Sequence, residues 1–403
     1  MRMSSARYTS FWLMLGASLV LFLSLGARHG FGLFLTPMSM EFGWGREVFA
    51  FAMALQNLVW GITQPFAGAA ADRFGARTTI IAGGLLYAVG LVLMGYADSL
   101  LSLSMSAGLL IGTGLSGTSF AVILGVVGRA VPAHQRSMAM GIAAAAGSFG
   151  QFAMLPGSLA LIEWLGWSAA LVALGLLAML IVPLAAMIDD KPQQAGREAE
   201  LSLGEVLREA FGHPGFRLLS LGFFVCGFQV VFIGVHLPAY LVDRHLPIMV
   251  GTTVLALVGL FNVFGTWFTG WLGGHRSKPR LLSALYLARG VVIALFITVP
   301  LSTTTAYAFG IAMGLLWLST VPLTNGTVAS IFGVRNLSML GGIVFFMHQV
   351  GAFLGGWLGG FLYDRTGSYD LVWYLSIALS VVAAALNWPI QERPVARLQG
   401  VAA

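Results

Sequence analysis

Uninterrupted apolar stretches of about 20 residues recur along the whole chain, and they leave it very few folds to choose from. A segment of that length is what a helix needs to cross the hydrocarbon of a bilayer. Lipid offers the backbone no hydrogen-bonding partner, so only helices and closed barrels satisfy it there. Barrel strands would alternate in polarity over about 10 residues, and these runs do not alternate. The chain is 58% hydrophobic and only 9% charged, with a mean hydropathy of +0.87. A soluble domain carries about 25% charged residues. The sequence therefore predicts an all-α membrane protein. The first run is long, lacks a small-residue cleavage site and is followed by many more, so it reads as a first span and not as a removable leader.

Twelve spans are predicted, at about 11–35, 48–71, 78–97, 101–128, 137–161, 167–188, 216–240, 249–273, 281–299, 304–331, 339–362 and 370–390. One long polar stretch, 189–215, separates the sixth from the seventh. It divides the chain into an N-terminal six-helix half, 1–188, and a C-terminal six-helix half, 216–403. Within the stretch, Ser202 and Glu205 have the spacing of a capping box before an amphipathic pattern, which predicts a short surface helix.

Basic residues set the orientation of such chains. With a cytoplasmic amino terminus, sixteen of the 21 lysines and arginines fall in inside segments. Arg46, Arg244 and Arg365 fall outside, and Arg28 and Arg289 fall within spans. Both termini are thus expected on the cytoplasmic side of a bacterial inner membrane. The net charge of +6 is accounted for by topology and does not call for nucleic acid. All 15 acids lie in loops or at span edges, so the predicted membrane interior carries positive charge only.

Those two embedded arginines are the strongest functional signal. Burying an unpaired cation in hydrocarbon costs at least about 2.5–3.5 kcal/mol, so such a group faces a polar cavity or a partner. With no embedded acid, the natural partner is an anion that comes and goes. Arg28 lies about 7–8 Å outward of the first span's centre at about 1.5 Å per residue, and His29 adjoins it. Arg289 falls near the middle of the ninth span, Asn262 near the middle of the eighth and His348 near the middle of the eleventh. Asn325 and Gln349 are further polar groups at depth. These seven are the candidate substrate-binding residues. The alternatives are interhelical hydrogen bonding for the amides, bonding to backbone carbonyls for Arg289 and snorkelling for Arg28. Gln56, Trp60 and Gln64 share one face of the second span, which either lines the pathway or packs on the eleventh.

The sequence holds no nucleotide loop, no metal cluster and no nucleophile elbow, so an enzyme, a resident cofactor and ATP-driven transport are all disfavoured. Cys226 is the only cysteine and cannot form an intrachain disulfide.

The segment Gly68-Ala69-Ala70-Ala71-Asp72-Arg73-Phe74-Gly75-Ala76-Arg77 resembles the G-x-x-x-D-R-x-G-x-R signature of the major facilitator superfamily. A degenerate copy at Gly270–Arg280 keeps the leading glycine and the basic cluster but has Gly274 in place of the acid. The resemblance implies twelve helices in two six-helix halves, with substrate near the bilayer midplane between them. It also implies a cytoplasmic latch in which Asp72 docks near the start of the eleventh helix. Arg73, Arg77 and Arg129 are the expected basic members of that seam, topology signalling being the alternative role.

Two further stretches, Phe31–Pro37 followed by Glu41-Phe42-Gly43-Trp44, and Arg136–Gly150, are similar to the monocarboxylate and oxalate/formate branch. Members of that branch carry an Asp and an Arg one turn apart on the eighth span. Here those places are Asn262 and Thr266, so both charges are missing. The expected function is a secondary carrier of a small organic anion, a mono- or dicarboxylate, working by alternating access. Proton symport, with the proton on His29, His236 or His348, and anion exchange are both open. The implied partners are the anion, protons under symport and membrane lipid, and the chain is expected to act as a monomer. A multidrug or hydrophobic-solute exporter of the same fold is the alternative, with the arginines structural.

Overall fold

The computed structural model describes residues 5–44, 46–188 and 202–399. Arg2, Asp189, Asp190, Lys191, Arg197, Glu198 and Glu200 lie outside the described residues. The described residues form helices and no strands. The first helices are α1 (Ser5–His29), α2 (Leu35–Phe42), α3 (Arg46–Phe74), α4 (Ala76–Gly95), α5 (Leu100–Leu103), α6 (Ile111–Thr118), α7 (Phe120–Ala130), α8 (Ala133–Ala178) and α9 (Ile181–Ala185). They are followed by α10 (Leu203–Gly212), α11 (Pro214–Asp243), α12 (Ile248–Gly273), α13 (Lys278–Thr298), α14 (Thr303–Leu316), α15 (Thr320–Phe332), α16 (Leu337–Thr366), α17 (Asp370–Asn387) and α18 (Ala396–Gln399).

Ten stretches among the described residues are long and apolar enough to cross a membrane. One of them, Ala133–Ala185, holds two spans, because Gly166 (φ 78°, ψ 164°) interrupts α8. That left-handed φ admits glycine at little cost. Helix α3 adds a further 29 residues. The architecture is the expected one of twelve spanning helices in an all-α membrane protein.

The fourth and tenth spans are discontinuous. In the fourth, the backbone is extended at Ser119 (φ −107°, ψ −170°) between α6 and α7. A π-helical stretch, Ser104–Leu110, precedes α6. In the tenth, α14 ends at Leu316 and α15 begins at Thr320. A broken helix frees carbonyls and amides that lipid cannot satisfy, so other groups must.

The chain packs into two compact units. One comprises Met1–Ala133, Ile142–Gln194 and Val334–Gly342; the other comprises His134–Gly141, Ala195–Gly333 and Ile343–Ala403. In the first, α6 packs on α3 and α4; in the second, α12 packs on α14, and α17 on α11 and α13. Gly68, which opens the signature, lies in the first unit so close to the Ser338 carbonyl that a Cβ there would collide with it. Phe66, Phe264, Trp267 and Trp357 are exposed.

Linker helix α10 is built by its cap. Ser202 Oγ accepts from Glu205 N at 3.3 Å, and Ser202 N donates to Glu205 Oε2 at 2.7 Å. Its outer end is tied to the C-terminal segment, where Arg397 Nε donates to Glu209 Oε2 at 2.9 Å and Arg397 Nη2 to the Phe332 carbonyl at 2.8 Å.

Candidate functional site

In the first unit the candidate site grows around Arg28, in the last turn of α1. Its Nη2 donates to Asn57 Oδ1 at 2.5 Å. Asn57 Nδ2 donates to the Met53 carbonyl at 3.1 Å, which turns the amide oxygen toward the guanidinium. The Arg28 carbon Cζ sits 4.9 Å from the Trp60 ring centroid, a cation–π contact that holds a cation without neutralising it. Trp60 Nε1 is itself held by Gln64 Oε1 at 2.9 Å and Ser119 Oγ at 3.0 Å. Ser119 Oγ donates to Gln64 Oε1 at 2.8 Å, and Gln64 Nε2 donates to the Ser116 carbonyl at 2.7 Å. The break in the fourth span thus fixes the tryptophan on which Arg28 rests. Arg28 Nε is buried and has no hydrogen-bond partner, and no carboxylate pairs with the guanidinium among the described residues. A half-buried guanidinium with a vacant donor can donate to an oxygen acceptor such as a carboxylate. Neighbouring His29 is half-buried, with Nδ1 2.6 Å from the Leu25 carbonyl.

The second span meets the eleventh through backbone at Gln64 and Gly342, while its polar side chains bond the fourth. Gln56 Nε2 donates to the Ala107 carbonyl at 2.8 Å, so Gln56, Trp60 and Gln64 all bond the fourth span. The irregular backbone there has acceptors to offer, which a regular helix would lack. Asn57 and Ser119 were not singled out from sequence. The signal for Asn57 was available, since it is an amide in an apolar run beside Gln56; nothing local marks Ser119 as a break.

Arg289 is fully buried in the second unit. Its Nε and Nη2 donate to the Leu316 carbonyl at 3.1 and 2.7 Å, Nη2 also reaches the Trp317 carbonyl, and Nη1 meets Gln229 Oε1 at 3.4 Å. Gln229 Nε2 is anchored on Ser380 Oγ at 2.6 Å and the Ser376 carbonyl at 3.0 Å. Asn262 Oδ1 accepts from Leu318 N at 2.9 Å. Arg289 and Asn262, expected as substrate ligands, are thus spent on the break in the tenth span. Thr266 Oγ1 caps the Asn262 carbonyl at 2.7 Å. The reason is the accounting of freed backbone groups: carbonyls at Leu316 and Trp317 need donors, and a guanidinium supplies several.

His348 is buried between two rings, parallel to Phe345 at 5.3 Å and tilted 4.9 Å from Phe223. Its Nδ1 lies 3.4 Å from Gln349 Oε1. Gln349 Nε2 and Asn325 Oδ1 are buried without a partner, while Asn325 Nδ2 donates to the Val321 carbonyl at 3.1 Å. His236 Nε2 lies 2.8 Å from the Gly356 carbonyl, a contact between the seventh and eleventh spans.

Asp72 sits at the start of α16. Its Oδ2 accepts from Met339 N at 2.8 Å and its Oδ1 from Ser338 N at 3.3 Å, as an N-terminal cap does. Arg129 Nη1 pairs with Oδ1 at 2.5 Å, with both side chains nearly closed to solvent. Arg73 and Arg77, expected in the same seam, are exposed; Arg73 lies over the Phe74 ring at 5.4 Å. The ion pair therefore belongs to Arg129, because the fourth span's end lies beside Asp72 while Arg73 and Arg77 face away.

Comparison with known proteins adds relatives to this geometry. The sequence matches the Major Facilitator Superfamily over residues 17–355. It is 28% identical over 374 residues to human Monocarboxylate transporter 11, covering 89% of this chain and 78% of that protein. It is 25% identical over 401 residues to the Oxalate:formate antiporter of Oxalobacter formigenes, covering 96% of this chain and 93% of the relative. Among solved structures, the Escherichia coli fucose:proton symporter FucP superposes with a TM-score of 0.71 at 16% identity. That superposition covers 96% of this chain and 100% of FucP, and it bears on the fold alone.

Proposed function

The chain belongs to the Major Facilitator Superfamily, and we propose that this multi-pass membrane transporter is a secondary carrier of a small organic anion, a mono- or dicarboxylate. It works by alternating access in a bacterial inner membrane, with both termini cytoplasmic. The observation that carries the reading is Arg28: a guanidinium at membrane depth, tied to neutral partners only, with one donor unspent. The names of relatives that handle monocarboxylates, oxalate and formate support the same substrate class. His29 is the proposed polar companion of the anion beside Arg28; within the second unit His348, Gln349 and Asn325 are proposed polar groups of the transport pathway; and Asp72 with Arg129 forms the proposed gate. Arg289 and Asn262 are assigned to shaping the tenth span. Arg73 and Arg77 serve as topology signals.

The test is uptake of radiolabelled acetate, lactate, oxalate and succinate into proteoliposomes. A charge-assisted hydrogen bond is worth about 1.5–3 kcal/mol, or about 10- to 100-fold. Arg28→Ala should lower uptake by about that factor, with Arg28→Lys intermediate. Unaltered uptake by Arg28→Ala, or stabilisation of the purified protein by lipophilic solutes and by none of the carboxylates, would sink the proposal.

A further inference from the structure

Two cavities adjoin within the second unit, where α11 and α13 begin and α17 ends, on the membrane face that carries linker helix α10. The first, about 720 Å³, is lined by Glu209, His213 and Leu218 on one side and by Arg393 on the other. The second, about 490 Å³, is lined by Ser277, Arg280, Trp388 and Glu392. Pro389, Ile390 and Gln391 form the wall common to both.

Among the described residues each cavity holds one acid, and each acid is already spent on a partner outside the lining. Glu209 Oε2 accepts from Arg397 Nε at 2.9 Å. Glu392 Oε1 pairs with Lys278 Nζ at 2.8 Å, and its Oε2 accepts from Lys278 N at 2.9 Å. Burial holds the His213 imidazole below its usual range, so it adds no charge at neutral pH. Arg393 and Arg280 are exposed and have no hydrogen bond or ion pair among the described residues. One uncompensated guanidinium therefore remains at each cavity.

Helix ends fix the depth of these cations. The spanning helices α11 and α13 begin at Pro214 and Lys278, and α17 ends at Asn387. Trp388, the next residue, is 65% exposed, and tryptophans at span ends sit among lipid headgroups. Apolar surface leads away from both cavities. Leu287 and Val291 are exposed on the face of α13 that Arg280 begins, and Leu221 is exposed one turn beyond Leu218 on α11. A free phosphate would fill the cationic rim and leave that surface bare, whereas a phospholipid covers both.

We propose that these two cavities are binding positions for anionic phospholipids, with Arg393 and Arg280 each donating to a headgroup phosphate. The acyl chains lie along Leu221 in one case and along Leu287 and Val291 in the other. A guanidinium fork matches phosphate oxygens, and basic pockets between spanning helices suit such headgroups. Each headgroup ties the 389–391 wall to a helix start, beside the Arg397–Glu209 and Lys278–Glu392 pairs.

The experiment measures binding of phosphatidylglycerol, phosphatidylcholine and inorganic phosphate to the full detergent-solubilised chain by native mass spectrometry. The readout is lipid binding and does not depend on the transported solute. Phosphatidylglycerol should bind at both positions, and phosphatidylcholine at neither. A basic group facing anionic lipid is worth about fivefold in affinity. Arg393→Ala and Arg280→Ala should each weaken one of the two binding events by about that factor, and the double variant both. Lysine at both positions should retain most of the binding. Arg276→Ala removes an exposed charge in the loop before α13 that lines neither cavity, and should change nothing. Equal binding of the two lipids, or undiminished binding in the double variant, would overturn the proposal. A loss in Arg276→Ala as large as in the cavity variants would overturn it in favour of diffuse surface charge. Displacement of the lipid by inorganic phosphate would assign the cavities to a soluble anion instead.

Discussion

Two arginines with the same sequence signature do different physical work. Arg28 and Arg289 both interrupt apolar runs without an acid nearby, and both rest against aromatic rings. Arg289 has spent its donors on the Leu316 and Trp317 carbonyls and Gln229, whereas Arg28 has one bond to Asn57 and an idle Nε. Removing the first should therefore cost stability, and removing the second should cost transport. Arg289→Ala leaves buried carbonyls unsatisfied at about 1–3 kcal/mol each, so thermal unfolding of the detergent-solubilised protein should fall by several degrees. An unchanged unfolding temperature combined with lost uptake would return Arg289 to the substrate. The contrast was invisible in sequence, because the acceptors that distinguish the two arginines come from spans distant along the chain.

Elements differ in how locally they are determined. The start of α10 is written in four consecutive residues, and the Ser202–Glu205 cap forms as the spacing requires. The Ser202 backbone N–H, then its hydroxyl, hold the Glu205 carboxyl below its usual range. A carboxyl lowered on folding contributes its stabilisation above the unfolded value, and loses it as pH falls through the folded one. Amide protection across 203–212, measured relative to the intrinsic exchange rate at each pH, should accordingly be high at neutral pH and fall once Glu205 protonates, while Glu205→Ala should be weakly protected at both. An α10 equally protected in that variant would show that packing, and not the cap, holds the helix. The broken spans are the opposite case. Nothing in Ser116–Phe120 forbids a continuous helix, whereas in the tenth span Pro322 has no N–H to give the Leu318 carbonyl and its ring crowds that carbonyl, which disfavours a continuous helix there. The breaks persist because Ser119, Trp60 and Gln64 in one unit, and Arg289 and Asn262 in the other, supply partners for the freed backbone.

Across the molecule, the latch residues connect segments that are far apart in the chain. Asp72 lies 267 positions from Met339, whose amide it accepts, and 57 from Arg129. Both members of the ion pair are almost solvent-free, with side-chain exposures of 6% and 4%. Breaking such a pair by removing one partner leaves a buried charge uncompensated, at about 3–5 kcal/mol. Asp72→Asn should thus lower the unfolding temperature and slow transport, whereas Arg73→Ala, at an exposed position, should do neither to a comparable degree. Equal effects of the two substitutions would place the latch on Arg73 as well. The sequence motif pointed to Asp72 and to the start of the eleventh helix. It could not choose among the nearby basic residues, because that choice depends on which helix end lies beside the carboxylate.

What the sequence by itself determined was everything that lipid enforces locally: helices, their number, the surface helix of the linker, the superfamily and the presence of cations at depth. Hydrocarbon punishes each unsatisfied group where it stands, so apolar run length and charge position read directly as spans. The tertiary structure alone decided which partner each buried polar group took. Bonding at depth depends on which distant backbone comes within about 3 Å of a donor, and that is set by helix packing and by two breaks, of which the tenth span's alone has a local mark, in Pro322.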